Sequence, residues 1–67
     1  MELSKYLENQ HKKDFAEDVG ISVNSLYKYM GGIRLTPLDV AFDIFELTNG
    51  KVRPKDLLKT WIDKQNN

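Results

Sequence analysis

Apolar residues recur along this chain every three or four positions, and short polar or glycine-containing stretches break the pattern. That period belongs to helices that bury one face. Five segments carry it. The first covers about Glu2 to Glu8, with Leu3, Tyr6 and Leu7 on one side. Asn9-Gln10-His11 separates it from a second, about Lys12 to Val19, in which Phe15, Ala16 and Val19 face one way and Asp14, Glu17 and Asp18 the other. Gly20 ends that helix, as glycine does where the chain turns left-handed. The third runs from about Val23 to Met30, with Ser22 as N-cap, Leu26 and Met30 on its inner side, and Gly31-Gly32 as its stop. The fourth opens on Thr36 as cap, with Pro37 in the first helical position and Asp39 three residues beyond the cap. Leu38, Ala41, Ile44, Phe45 and Thr48 share one side of it, with Val40 and Leu47 flanking, and Asp39, Asp43 and Glu46 form an acidic stripe on the other. Asn49-Gly50 closes it. The fifth starts near Pro54, behind Arg53, a poor capping residue, and carries Leu57, Leu58, Trp61 and Ile62 to about Asp63. Lys51-Val52-Arg53 reads as either loop or short strand, and residues 64–67 are expected to fray.

The expected fold is therefore all-α, a compact bundle of about five short helices. The 67 residues suffice for a single domain spanning 1–67. A domain of this size hides only about 60% of its unfolded surface. With no cysteine to cross-link it, it relies on close helix packing, oligomerisation, or both. The longest apolar run, Val40-Ala41-Phe42, is far too short to span a bilayer, so a soluble cytoplasmic protein with no membrane partner is expected. The absence of cysteine and the single histidine, His11, argue against a metal centre. No nucleophile stands at a useful spacing from a base, and no glycine-rich phosphate loop is present, so no catalytic residue, cofactor or enzymatic role is expected.

The most informative segment is Lys12 to Met30: two helical stretches around a tight turn at Gly20. Ala16, four residues before the glycine, lets two helices cross closely. Phe15, Val19, Ile21 and Leu26 supply apolar contacts on both sides of the turn, and Tyr29 and Met30 close the second helix against the core. This is the pattern of a helix-turn-helix, in which the second helix packs one face and offers the other to the major groove.

Together with Leu3-x-x-Tyr6-Leu7, the exit Leu26-x-x-Tyr29-Met30-x-Gly32, Thr36-Pro37 and Leu47-Thr48-x-Gly50-x-Val52, this segment resembles the small Cro-type phage repressors and the related YdaS-like prophage regulators of the lambda-repressor-like fold. The resemblance covers Leu3 to about Leu58. The chain departs from the family at two points. His11 stands where a glycine commonly separates the first two helices, and Tyr29 where a tryptophan is common late in the recognition helix. The resemblance implies a transcriptional repressor that binds double-stranded operator DNA as a symmetric homodimer. The free face of the third helix would carry Val23, Asn24, Tyr27 and Lys28 to the bases. Asparagine can pair bidentately with adenine, lysine can donate to guanine, and valine can touch a thymine methyl. Lys12, Lys13, Ser22, Ser25 and Arg34 are the phosphate candidates. Phe42, Trp61 and Ile62 are candidates for the dimer contact, since aromatic residues are favoured at interface centres.

Ten basic and ten acidic residues cancel, which weakens any non-specific attraction to DNA. The charge is segregated, however. Residues 14–21 carry three acids and no base, and residues 39–50 carry three more. Between Gly20 and Leu38 there is no acid, only Lys28 and Arg34, and residues 51–67 hold five bases against two acids. Binding depends on this local field rather than on the total. A second reading uses the same bundle differently, as an antitoxin or adaptor whose acidic fourth-helix face and apolar C-terminal helix cover a toxin or regulatory protein partner.

Overall fold

The computed structural model describes residues 1–66. In it α1 spans Leu3–Tyr6 and runs into a 3-10 turn over Leu7–Asn9. The remaining helices are α2 (Lys12–Val19), α3 (Val23–Met30), α4 (Leu38–Leu47) and α5 (Pro54–Gln65). The fold is all-α, with no strand among the described residues. α2 packs on α3 and α4, and α5 also packs on both. No helix among the described residues is long and apolar enough to cross a membrane.

Each element commits at least one side chain to a common centre. Leu3 and Leu7 come from the first segment, Phe15 and Ala16 from α2, Leu26 and Tyr29 from α3, Ala41 and Ile44 from α4, Val52 from the α4–α5 loop and Leu57 from α5. Leu7, Leu26, Ile44 and Val52 have no exposed surface. Burying an aliphatic side chain of this size contributes about 1.5–3 kcal/mol. Tyr6 tilts against Phe15 with ring centroids 6.0 Å apart, fastening α1 to α2.

The structure changes three of the sequence expectations and decides a fourth point that the sequence left open. The first helix is a single α-turn tightened into 3-10 geometry, because the Gln10 amide reaches back only to the Leu7 carbonyl. Thr36 does not cap α4. Pro37 keeps an extended ψ of 151°, so helical geometry begins one residue later, and the Pro37 carbonyl accepts the Ala41 amide at 2.8 Å. The Thr36 side chain is buried instead. Residues 51–53 form no strand: the Thr48 hydroxyl accepts the Val52 amide at 3.1 Å and donates to the Phe45 carbonyl, so the loop folds back onto the end of α4. α5 runs through Gln65, past the expected stop at Asp63 and into the segment expected to fray. Of the residues 64–67 considered there, Asn67 lies outside the described residues.

Arg53 is indeed no side-chain cap, yet α5 starts cleanly. The Asp56 carboxylate, three residues in, accepts the Arg53 backbone amide at 2.9 Å. It also accepts the Met1 ammonium at 2.9 Å and the Arg53 guanidinium at 3.4 Å. Partial burial works to raise the Asp56 pKa, but the Arg53 amide, the terminal ammonium and the guanidinium outweigh it and bring the carboxyl down from 3.8 to about 2.

Two glycines carry the turns that position α3. Gly20, at φ 87°, closes α2 in a Schellman arrangement. Its amide reaches the Glu17 carbonyl at 3.0 Å and the Ile21 amide reaches the Ala16 carbonyl at 3.0 Å. Gly32, at φ 73°, lies so close to α5 that a Cβ would stand 2.6 Å from the Thr60 carbonyl oxygen.

Gly32→Ala is expected to cost about 3 kcal/mol, because left-handed strain adds to a clash with backbone. Gly20→Ala, whose Cβ would enter open space, is expected to cost about 1 kcal/mol. Urea melts of the two variants test that order. Asp56 contributes stability that is full above pH 3.8 and is lost as pH falls through about 2. The difference in melting temperature between wild type and Asp56→Asn should therefore be largest above pH 4 and shrink as pH approaches 2.

Candidate nucleic-acid interface

α3 is an eight-residue helix whose rotation is set from within. Leu26 and Tyr29 are buried, and Val23 and Met30 lie half-buried against the core. With that side turned inward, helical geometry carries Asn24, Tyr27 and Lys28 outward, and all three are exposed. Tyr27 is 51% exposed while Tyr29 is 6% exposed, so of the two neighbouring tyrosines only Tyr27 faces solvent. Val23 sits at the edge between the packed and open sides. Met30, expected in the core, is only half-buried, because Tyr29 takes the inward position.

The N-terminus of α3 is tightly organised. The Ser22 hydroxyl accepts the Ser25 backbone amide at 3.1 Å and donates to the Ser25 hydroxyl at 3.0 Å. Ser22 is exposed, and Ser25 is half-buried beside it. The cap thus uses the Ser22 acceptor internally, while the Ser25 hydroxyl keeps its own proton to donate. The chain leaves α3 with the Ile33 amide on the Lys28 carbonyl at 3.0 Å, which fixes where Arg34 begins; Arg34 is exposed.

Lys12 and Lys13, at the start of α2, are not equivalent. Lys13 is exposed. Lys12 is half-buried, and its ammonium donates to the Leu7 carbonyl at 3.1 Å, tying α2 to the preceding 3-10 turn. An ammonium has three donors, so Lys12 retains capacity for an anion, but it already has a structural role that the sequence pattern did not show. His11 precedes it, with Nδ1 3.0 Å from the Asp14 carboxylate. Among the described residues no group of His, Asp and Glu is arranged to hold a metal ion.

The dimer candidates occupy a different side. Phe42 is 51% exposed, Ile62 is exposed, and Trp61 is half-buried. Sequence periodicity placed Leu38 and Phe45 with the core residues of α4. In the structure Leu38 is 67% exposed and Phe45 is partly open, because Ala41, Ile44 and Thr48 fill the inward side. Leu38 instead helps to line an open apolar groove of about 500 Å³ with Leu35, Pro37, Pro54 and Leu58. The signal for this groove was Leu35-x-Pro37-Leu38, a set of apolar residues at the junction before α4.

No protein-family model matches the chain, and neither the curated proteins nor the solved structures yield a match.

Ser22→Ala removes the cap acceptor and is expected to lower unfolding stability by about 1 kcal/mol. Ser25→Ala leaves the amide-to-Ser22 bond in place and should cost less, a contrast that chemical denaturation of the two variants measures.

Proposed function

We propose that this chain is a sequence-specific DNA-binding regulator of the helix-turn-helix type, with α3 as the element that enters the major groove. The observation that carries the reading is the open face of α3. Asn24, Tyr27 and Lys28 project together from a helix whose opposite side is fixed by Leu26 and Tyr29. Asparagine and lysine offer the donor and acceptor patterns that read adenine and guanine edges. Tyr27 is long enough to reach a sugar or phosphate, and Val23 stands at the margin where a thymine methyl would fit. Lys13, Arg34, Ser25 and the α3 N-terminus flank this face as phosphate contacts, and Lys12 adds the ammonium donors that its bond to Leu7 leaves free, whereas the single hydroxyl proton of Ser22 is already given to Ser25.

Electrostatics supports the same face. The segment from Ile21 to Pro37 contains no acid, while the acidic stripe of α4 lies on another helix. A chain with no net charge binds with a modest dependence on salt, and its selectivity comes from base contacts more than from counterion release. Two copies on an inverted repeat would set their α3 helices in successive major grooves, about 34 Å apart. Such a complex represses transcription by occupying a promoter, without chemistry on the DNA. The resemblance to Cro-type and YdaS-like regulators agrees with this reading.

The exposed apolar residues of α4 and α5 favour a second reading, in which the chain is an antitoxin or adaptor that covers a partner protein. That reading predicts a partner lost on Asp43→Lys and kept on Lys28→Ala.

Selection of bound duplexes from a random library, followed by gel-shift titration, tests the DNA reading. Asn24→Ala and Lys28→Ala are each expected to cost about 1–3 kcal/mol on the selected site and to relax specificity at one base pair. Lys13→Ala should weaken all sequences about equally and flatten the salt dependence. Failure to enrich any sequence, or equal binding of wild type and Lys28→Ala to every site, overturns the assignment.

A further inference from the structure

The groove at the start of α4 takes no part in the DNA reading. Its volume is about 500 Å³. Leu35 ahead of α4, Leu38 within it, and Leu57 and Leu58 on α5 supply an apolar lining that contains no aromatic ring. A mostly apolar concavity of this size, with a few polar groups converging on it, has the make-up of a small-molecule site.

The polar groups that converge here are donors without a partner. Thr36 lines the groove and is only 8% exposed. The hydroxyls of Thr48 and Thr60 each donate to a helix carbonyl, whereas that of Thr36 bonds to no described residue. No side-chain oxygen sealed from solvent lacks a partner among the described residues, so the Thr36 hydroxyl sits at the small part of the residue that opens on the groove. Lys55 is the charged residue of the lining, and its ammonium pairs with no acid among the described residues. α4 also begins without a side-chain cap, which leaves the amides of Leu38, Asp39 and Val40 without a protein acceptor. The start of α5 differs, because Asp56 already serves it. Asp39, exposed in the first turn of α4, caps nothing and stands outside the lining.

We propose that the groove binds an aliphatic monocarboxylate, the anion of a medium-chain fatty acid. Its tail lies against Leu35, Leu38, Leu57 and Leu58, and its carboxylate is held by Lys55, the Thr36 hydroxyl and the open first turn of α4. An ionised carboxylate only accepts hydrogen bonds, so it suits a site whose unpaired groups are donors. The positive end of a helix favours the same charge. The lining has no ring on which an aromatic acid could stack. A peptide segment would bring backbone amides that find no acceptor among leucine, proline and alanine side chains, and burying them unpaired is costly. A fatty acid carries only methylenes behind its charged head.

The inference does not rest on the DNA reading, and its test uses no DNA. Titration of the isotope-labelled full chain with decanoate, followed by amide NMR, is expected to give saturable shifts centred on residues 35–41 and 55–58. Affinity should rise along the series hexanoate, octanoate, decanoate by up to about fourfold for each added methylene. Decanol, which keeps the tail and lacks the charge, should bind more weakly than decanoate. Lys55→Gln is a surface substitution that leaves the fold in place and should weaken decanoate binding about fivefold. Thr36→Val keeps the shape of the side chain, removes the hydroxyl, and should weaken binding by a similar factor. The proposal is overturned if decanoate gives no saturable change through the millimolar range, or if the shifts centre away from the groove. Decanol binding as tightly as decanoate, or undiminished binding by both variants, overturns it as well. Tighter binding of N-acetyl-leucyl-leucine than of decanoate would overturn the choice of occupant in favour of a peptide carboxylate.

Discussion

The inward commitment of Leu26 and Tyr29 fixes how α3 is rotated, and the rest of the molecule is organised to keep it so. Leu26 has no exposed surface, and it belongs to the core cluster that also holds the fully buried Leu3, Leu7, Ile44 and Val52. A helix of eight residues is marginal by itself in water. Its persistence here comes from that apolar contact, from the Ser22 cap at its start and from the close passage of α5 at Gly32. Rotating α3 by one position would expose Leu26, at a cost of about 1.5–3 kcal/mol, and would draw a polar residue inward. Asn24, Tyr27 and Lys28 are thus held outward by the buried Leu26 and Tyr29.

The connections are stabilised by polar groups that have few alternatives. Thr48 is almost completely buried, yet its hydroxyl has both a donor and an acceptor role at the end of α4. Asp56 gathers the Arg53 amide, the terminal ammonium and the guanidinium at the start of α5. Lys12 spans from α2 to the Leu7 carbonyl. Each of these bonds joins segments that the hydrophobic core brings near one another but does not orient. Their net contributions are modest, about 1 kcal/mol apiece, with somewhat more for the charged ones. Their geometric effect is larger, since they set the angles at which short helices meet.

A chain this small has too few residues to cover every apolar side chain. Leu38 and Phe42 on α4 and Leu58 and Ile62 on α5 remain open, while α3 presents Asn24, Tyr27 and Lys28 on a separate helix. The apolar and the polar exposed side chains are thus carried by different elements of the bundle.

The sequence by itself determined the all-α class, the bounds of α2 and α3, the stops at Gly20 and Gly31-Gly32, and the inward role of Leu26. These follow from period, caps and left-handed turns, which are local and act within a few residues. The family resemblance, rather than the spacing alone, pointed to Val23, Asn24, Tyr27 and Lys28 as the outward set; the last three are exposed and Val23 is half-buried. Tertiary structure alone decided the rest. It buried Tyr29 more fully than Met30, though both pack against the core as expected, and it turned Leu38 and Phe45 outward where Ala41, Ile44 and Thr48 filled the space. It started α4 after Pro37 because Thr36 was more useful buried than capping, and it folded residues 51–53 onto Thr48 rather than into a strand. In each case the competing options have the same local pattern, and what separates them is which neighbour arrives from a distant part of the chain to cover the side chain or satisfy the backbone.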